Sequence, residues 1–258
     1  MNRINLLKRA MPIVLALLIV SCKPFPSIPK VGDEQFFIHS IAYYTFDDGS
    51  FDDSSGNGYD GEGVNEPGII DDTPSGDGYA LMISSSLNQS VSIPHGLLNN
   101  LKDYSVTLWI KDFSEGVLIS SAHPMYNNIN HDYPRLVATD NGSFQFVCCF
   151  DKTAGEGLEK FAYNFKSIIN DGWHHIAVTS ASLGENTSDV ILKLYVDGQL
   201  TESLEEVPWE SSGYREMTIG GNKNGAYPSA ITAKFDNIGF YNITLTDSDI
   251  LAIFNDRL

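Results

Sequence analysis

Two segments, WHHIAVT at residues 173–179 and VILKLYVDG at residues 190–198, carry the clearest structural signal in this chain. Apolar residues occupy every second position of the second segment, which is the period of a half-buried β-strand. That segment ends at Asp197-Gly198, the usual central pair of a two-residue hairpin turn, where glycine adopts a positive φ angle without strain. The first segment alternates as well. We therefore predict two long strands in the middle of an antiparallel sheet.

Further short segments with strand-like alternation fill most of the chain, and turns rich in glycine and proline separate them. In residues 104–111, for example, Val106, Leu108 and Ile110 face one side of the expected strand. The other expected strands are residues 42–46, 79–83, 89–94, 117–120, 136–139, 143–150, 161–165, 217–220 and 235–241. Because no helical periodicity lies between them, the pattern predicts one all-β domain, a two-sheet antiparallel sandwich.

The last residues change period and predict one short C-terminal helix. Thr246 is placed as the N-cap, and Asp247 and Asp249 follow at the positive end of the helix dipole. Ile250 and Ile253 then begin an apolar stripe. We expect this helix to pack on the edge of the sandwich.

The chain has 258 residues and a formal charge of −17 at pH 7. Residues 1–21 contain three basic and no acidic side chains, so the rest carries 13 basic against 33 acidic side chains, a charge of −20. This excess repels the phosphates of nucleic acids, and no Lys/Arg cluster offsets it locally. We therefore expect no nucleic-acid partner. The acidity favours either solubility alone or attraction for calcium.

The first 21 residues have the layout of a secretory signal peptide. Basic residues precede an apolar run at 13–20 that is too short for an ordinary membrane span. Residues 19–22, Ile-Val-Ser-Cys, resemble the bacterial lipobox, in which the cysteine is lipidated and becomes the first mature residue. Lys23 follows instead of aspartate, and the resemblance to enterobacterial sorting signals then favours the outer membrane. An ordinary signal with an incidental Cys22 is the alternative.

These features divide the chain into three parts. Residues 1–21 are the expected lipoprotein signal peptide, residues 22–37 the lipid-anchored Cys22 with a proline-rich tether, and residues 38–258 one folded domain. The domain could face either the periplasm or the outside. Cys148 and Cys149 would point to opposite faces of one strand, so they are poorly placed for a mutual disulfide.

Six segments of the chain resemble, in order, the motifs of the laminin-G-like domain of the concanavalin A-like lectin/glucanase superfamily. They are DSSGNGYDG at 53–61, SVTLWIK at 105–111, WHHIAVT at 173–179, LKLYVDGQL at 192–200, MTIGG at 217–221 and FDNIGFYNITLTDSDILAIF at 235–254. The resemblance runs from about residue 38 to residue 255 and implies two antiparallel sheets in a jelly roll, with loops at the rim. It implies much less about function, because this fold carries lectins, adhesion modules and glycosidases.

The loop after the first expected strand has the donor spacing of a calcium site. Asp53, Ser55 and Asn57 stand at the one-three-five positions of an oxygen-donor loop, although the Glu that would complete an EF-hand is absent. Members of the family that the chain resembles often bind structural calcium near this stretch. We therefore predict a structural Ca²⁺, and the alternative is a solvated glycine-rich turn. The expected ligands are Asp53, Ser55, Asn57, Asp60 and the distant Asp236.

The sequence contains no familiar catalytic motif. Glycosidases of this superfamily need paired carboxylates on one strand face, roughly E-x-D-x-E. Glu202, Glu205 and Glu206 lack this spacing and fall in an expected loop. His174 and His175 would point to opposite faces of one strand, so they cannot chelate one metal ion. We predict a protein that is not an enzyme, and carboxylates assembled from distant segments are the alternative.

Two polar loops, residues 122–135 and 222–229, are the expected ligand-binding elements. They combine tyrosines with amide and charged side chains, which suits the apolar faces and the hydroxyl groups of sugars. Trp109 and Trp209 are candidate stacking platforms, although a place in the core is the alternative for Trp109. The candidate ligand-binding residues are Trp109, Tyr126, Asn127, Tyr133, Arg135, Trp209 and Tyr227.

The sequence therefore favours a lipid-anchored, non-catalytic binding module of the outer membrane whose ligand is a carbohydrate. A protein-adhesion or assembly subunit at the cell surface is the second hypothesis. A glycoside hydrolase without a recognised carboxylate motif is the third. The expected partners are a glycan or a surface protein, with membrane contact through the N-terminal lipid only.

Overall fold

The structure is a computed structural model that describes residues 40–122, 134–147, 159–169, 171–184, 187–209, 216–221 and 230–256. Within these residues the chain forms fifteen strands and one α-helix. They are β1 Ser40–Tyr44, β2 Glu62–Val64, β3 Gly68–Ile70, β4 Ala80–Ile83, β5 Ser90–Ile93, β6 Tyr104–Lys111, β7 Gly116–Ala122, β8 Arg135–Ala138, β9 Ser143–Val147, β10 Glu159–Asn164, β11 His174–Ser182, β12 Val190–Val196, β13 Gln199–Val207, β14 Glu216–Ile219, β15 Ala233–Tyr241 and α1 Asp247–Asn255.

The strands form two antiparallel sheets whose inner faces enclose one large apolar core. Sheet A has eight strands in the order β13-β12-β11-β6-β15-β4-β3, and β1 pairs with the second half of β15. Sheet B has seven strands in the order β10-β9-β8-β7-β14-β5-β2. This architecture confirms the predicted all-β sandwich with one short C-terminal helix.

The two segments with the strongest alternation form β11 and β12, as predicted. β11 pairs with β6 on one side and with β12 on the other in continuous register. Asp197 and Gly198 make the turn into β13 with φ angles of 50° and 74°. The carboxylate of Asp197 accepts a hydrogen bond from the backbone N–H of His175 at 3.0 Å, and its other oxygen lies 2.9 Å from Nδ1 of His174. Asp197 therefore ties the turn to the start of β11.

The helix α1 lies over the outer face of sheet A. Its N-cap is Thr246, and the Asp249 carboxylate completes a capping box, as the sequence pattern predicted. The helix covers a second apolar cluster, formed by Ala177, Tyr195, Tyr241, Leu245, Ile250 and Ile253. The helix also contacts β13, the edge strand of sheet A, and it covers the outer face beside that edge because apolar side chains on β11, β12 and β15 require a cover.

The strand β13 was missed by the sequence pattern. Glu202, Glu205 and Glu206 lie on this strand and not in a loop. The strand is mostly exposed, with Leu200 at 45% exposure, because it forms one edge of sheet A. An exposed edge strand lacks the strict alternation of a half-buried one, which explains the error.

A search of the described residues for a helix with the length and apolar character of a membrane span finds none.

Candidate functional site

The described residues that flank the two predicted ligand loops lie along the strand β7. Ala122, where the first loop begins, pairs with Glu216. The second loop leaves after Gly221 and returns at Ala230, which forms a bridge to Val117. Ser120 of β7 pairs with Arg135, which ends the first loop, and its hydroxyl donates to the carbonyl of Gly221, where the second loop begins, at 2.9 Å. Described residues that flank the two loops therefore lie close together on β7. Tyr126, Asn127, Tyr133 and Tyr227 lie outside the described residues, as do Cys22, Cys148 and Cys149.

Trp109 is part of the packing beneath α1 and is wrong as a ligand platform. It is 1% exposed, and its ring stacks on Phe254 at a centroid distance of 5.6 Å. The ring of His175 lies 5.5 Å away on the neighbouring strand. A ring that is 1% exposed has no face accessible to a sugar.

Arg135 and Trp209 are less accessible than the sequence suggested. Arg135 is 6% exposed at the start of β8. Trp209 is half-buried, and its indole N–H donates to the carbonyl of Leu101 at 3.0 Å. The ammonium of Lys102 lies 5.3 Å from the centre of its ring and also donates to the carbonyl of Thr187. A sugar stacking on that face of Trp209 would have to displace Lys102.

The carboxylate of Asp53 is occupied by backbone N–H groups. Its Oδ1 accepts from Tyr43 at 2.9 Å and from Ser55 at 3.0 Å, and its Oδ2 accepts from Tyr59 at 3.1 Å. Asp60 in turn accepts from the backbone N–H of Asp53 at 2.9 Å. These bonds hold the loop against β1.

The other expected calcium ligands make contacts of their own. The amide group of Asn57 donates to the carbonyls of Ser40 and Ile41 at 3.1 and 3.0 Å. Asp236 is buried opposite Trp109 on the face under α1. Within the described part of the chain, no group of three or more His, Cys, Asp or Glu side chains is placed to hold a metal. The predicted donor set also includes Ser55 and Asn57, so the calcium site stays a prediction to be tested.

His174 and His175 take structural positions on the two faces of β11. His174 faces Asp197, as described above. His175 is completely buried beside Trp109, and burial lowers its pKa to about 4, against a smaller opposing effect of Asp197. Neither ring nitrogen of His175 has a hydrogen-bonding partner among the described residues. This histidine is therefore neutral at pH 7.

An open groove of about 580 Å³ lies between the outer face of sheet A and the segment that leads into α1. This volume falls within the range of roughly 300–1,000 Å³ that is typical of small-molecule sites. We call it the helix groove. It is lined by Thr179, Ala181, Ile191, Lys193, Tyr195, Thr244, Leu245, Thr246, Asp247 and Ser248.

Two strands and one helix position the polar groups of the helix groove. Thr179 of β11 pairs with Lys193 of β12, so that both side chains stand on the outer face of sheet A. The ammonium of Lys193 lies 3.2 Å from Oδ1 of Asp247, the first residue of α1. The hydroxyl of Tyr195 donates to the same oxygen at 2.7 Å. The sequence placed Asp247 in the first turn of a helix, but its contact with Tyr195 spans 52 residues of chain and left no local signal.

The electrostatics of this cluster keep Asp247 ionised. The hydrogen bonds from Tyr195 and Lys193 lower the pKa of Asp247. Burial, together with the hydrogen bond to Asp247, raises the pKa of the Tyr195 phenol. At neutral pH the helix groove therefore presents a carboxylate, an ammonium group and several hydroxyl groups beside an apolar floor.

A family model described as the concanavalin A-like lectin/glucanases superfamily matches residues 84–251, which is more than half of the chain. This protein belongs to that superfamily. A comparison with curated proteins gives no match.

Several solved structures are similar to this chain. Domain 4 of AbnA, a GH43 extracellular arabinanase from Geobacillus stearothermophilus in complex with arabinotriose, is 18% identical with a TM-score of 0.54, over 83% of this chain and 97% of that one. The binding domain of botulinum neurotoxin DC, in complex with rat synaptotagmin II, is 16% identical with a TM-score of 0.62, over 86% and 52%. The binding domain of Paraclostridial Mosquitocidal Protein 1 is 16% identical with a TM-score of 0.59, over 86% and 53%.

This chain therefore spans nearly all of the arabinanase domain but about half of each toxin domain. At such identities the similarity shows the fold alone.

Proposed function

We propose that this protein is a non-catalytic carbohydrate-binding module, held at the outer membrane by a lipid on Cys22. The observation that carries the binding function is the helix groove, in which the apolar side chains of Ala181 and Ile191 adjoin the Lys193–Asp247 pair. Sugars present both C–H surfaces and hydroxyl groups, so they are complementary to a groove of this composition.

The chemistry of the helix groove supports binding without bond cleavage. Glycoside hydrolysis uses two carboxyl groups roughly 5–10 Å apart, and the general acid among them needs a raised pKa. Asp247 is the one carboxylate among the described residues that line the groove, and its pKa is lowered. It is therefore suited to accept hydrogen bonds from a ligand and unsuited to protonate a leaving group.

The choice of a carbohydrate is also supported by the arabinanase domain, whose structure contains arabinotriose. The direct test is a glycan array and calorimetric titration with the chain from Pro24 onward, which keeps every described residue. We expect binding of at least one glycan at millimolar concentration or below, and no hydrolysis of polysaccharides. Absence of any glycan binding would remove the proposal, and release of reducing sugar would replace it with an enzyme.

The lipid anchor is supported by the signal-like residues 1–21 and by the lipobox-like residues 19–22. We expect the full chain, expressed in a Gram-negative host, to incorporate labelled palmitate and to fractionate with the outer membrane. Cys22→Ala should abolish the label, whereas Cys148→Ala, a matched control, should keep it. Labelling that survives Cys22→Ala would disprove the anchor.

A protein partner is the second candidate, because β13 is the last strand of sheet A and pairs only with β12 among the described strands. Its exposed residues include Gln199, Thr201 and Ser203, and an edge strand can accept an added strand from another protein. A photo-crosslinker at Ser203 should then capture a surface protein, whereas one at the exposed Leu87 should not. Equal capture at both positions would argue against this function.

A further inference from the structure

The protein itself uses only part of the hydrogen-bonding capacity of the Lys193–Asp247 pair. Among the described residues, the ammonium of Lys193 has one partner, Oδ1 of Asp247. The hydroxyl of Tyr195 bonds to the same oxygen, and no side chain among the described residues donates to Oδ2. The pair therefore presents N–H donors and a carboxylate acceptor side by side, with side chains 33% and 64% exposed.

The pair is held in place by regular structure and not by a loop. Tyr195 is 1% exposed and bonds to Asp247 from below, and Asp247 is the first residue of α1. Lys193 stands beside Tyr195 on β12, on the same face of sheet A. A site built on such elements loses little freedom when it binds, which favours recognition of a small ligand.

Resting on the function proposed above, we propose that the helix groove recognises a neutral saccharide through two adjacent ring hydroxyls. One hydroxyl donates to Oδ2 of Asp247, and its neighbour accepts from the ammonium of Lys193, because a sugar hydroxyl can do both. The C–H face of the ring then lies on Ala181 and Ile191, which form the accessible apolar floor.

The charges in the helix groove select against ionised sugars. A uronate brought to this site meets the carboxylate of Asp247 and the formal charge of −17 on the whole chain. The ammonium of an amino sugar is attracted by Asp247 and by the charge of the chain, but it is repelled by the ammonium of Lys193, which already lies 3.2 Å from that carboxylate. A neutral ring satisfies both charged groups without introducing a third charge, so it is the preferred class.

The test is a titration of the chain from Pro24 onward with neutral trisaccharides of glucose, galactose, mannose, xylose and arabinose. Trigalacturonate and the trimer of glucosamine are the charged probes. We expect at least one neutral trisaccharide to bind more tightly than either charged probe. Lys193→Met and Asp247→Asn should each weaken that binding by about tenfold or more, the effect of losing one hydrogen bond to a charged group.

Two control variants separate the groove from general effects. Lys166→Met removes an exposed lysine whose stem covers Gly142 away from the groove. Asp103→Asn removes a carboxylate that accepts from the Ser182 hydroxyl at 2.8 Å without lining the groove. Both should bind like the unmodified chain.

The outcomes distinguish this inference from the function on which it rests. Glycan binding that is unaffected by Lys193→Met and Asp247→Asn overturns the inference and leaves the proposed function standing. Preference for a charged probe also overturns it. Failure of every glycan to bind overturns both.

Discussion

The phenolic hydroxyl of Tyr195 donates a 2.7 Å hydrogen bond to Oδ1 of Asp247, and this bond joins the strand β12 to the first turn of α1. The Lys193–Asp247 ion pair, at 3.2 Å, joins the same two elements, and apolar side chains meet beside it on the outer face of sheet A. The bond orients the one acidic side chain that lines the described part of the helix groove. Its contribution to stability and its contribution to binding can be measured separately.

Replacing Tyr195 by Phe removes this hydrogen bond and keeps the buried ring. We expect the free energy of unfolding to fall by about 1 kcal/mol, less than the roughly 1.5–3 kcal/mol usual for a bond to a charged group, because the Asp247 side chain is 64% exposed. Urea unfolding of the variant measures the loss. Tyr79→Phe, at a tyrosine that is 45% exposed, serves as the control and should have no effect. Equal stability of Tyr195→Phe and the unmodified chain would show that the bond contributes nothing.

Stability should fall between pH 6.5 and pH 4 because of His175. The folded protein keeps this buried histidine neutral, with its pKa lowered to about 4, whereas the unfolded chain binds a proton below about pH 6.5. The unfolded state therefore gains protons that the folded state does not. We expect a loss of roughly 3 kcal/mol between pH 7 and pH 4. Urea unfolding at a series of pH values measures it.

His175→Phe is the variant that isolates this effect. Both ring nitrogens lack partners among the described residues, and the ring lies against Trp109 and Phe254, so an apolar ring suits the position. We expect a flatter pH profile from pH 6.5 to pH 4 and no loss of stability at pH 7. An unchanged profile would assign the acid sensitivity to other groups.

The carboxyl group of Asp72 affects stability below that pH range, so it does not interfere with the measurement of the His175 effect. Burial alone would raise its pKa, but hydrogen bonds from Lys234, Lys111 and Trp173 outweigh this effect and hold the pKa at about 2. A carboxylate with a lowered pKa stabilises the fold above its usual pKa of 3.8, and that stabilisation is lost as the pH falls towards 2.

The loop around Asp53 should be stable without calcium. Because the Asp53 carboxylate already accepts three backbone N–H groups, we expect the same melting temperature in EDTA and in millimolar calcium. Asp53→Asn should cost about 2 kcal/mol, since its amide NH₂ would face backbone donors. Asp52→Asn, at an exposed neighbour, is the control. A melting temperature that rises by several degrees with calcium would restore the calcium hypothesis.

Trp109 should matter for stability and not for ligand binding. Trp109→Phe leaves a small space under α1 beside Phe254, and we expect a loss of about 1–2 kcal/mol in the free energy of unfolding. The affinity for any glycan found should stay the same in the folded variant. A stable variant with weakened glycan binding would show that Trp109 contributes to ligand binding.

Much of the architecture was readable from local pattern. Alternating apolar residues predicted β11 and β12, Asp197-Gly198 predicted the turn, and Thr246 predicted the N-cap of α1. Each of these features depends on residues within a few positions of one another, so the local sequence is sufficient to predict it. The same reasoning failed for Glu202 and its neighbours on β13, where the strand is too exposed to alternate.

The pairing of the strands and the covering of each sheet face were decided only by the tertiary structure. Trp109 and Val106 alternate on one strand with equal regularity, but the helix α1 alone explains why the face that carries Trp109 is also buried. Likewise, no residue near Asp247 in the sequence indicates its contact with Tyr195, because the two side chains meet only when α1 packs over β12. Periodicity determines which side chains share a face of a strand. Contacts between distant segments determine what packs on that face, and the helix groove is formed by such contacts.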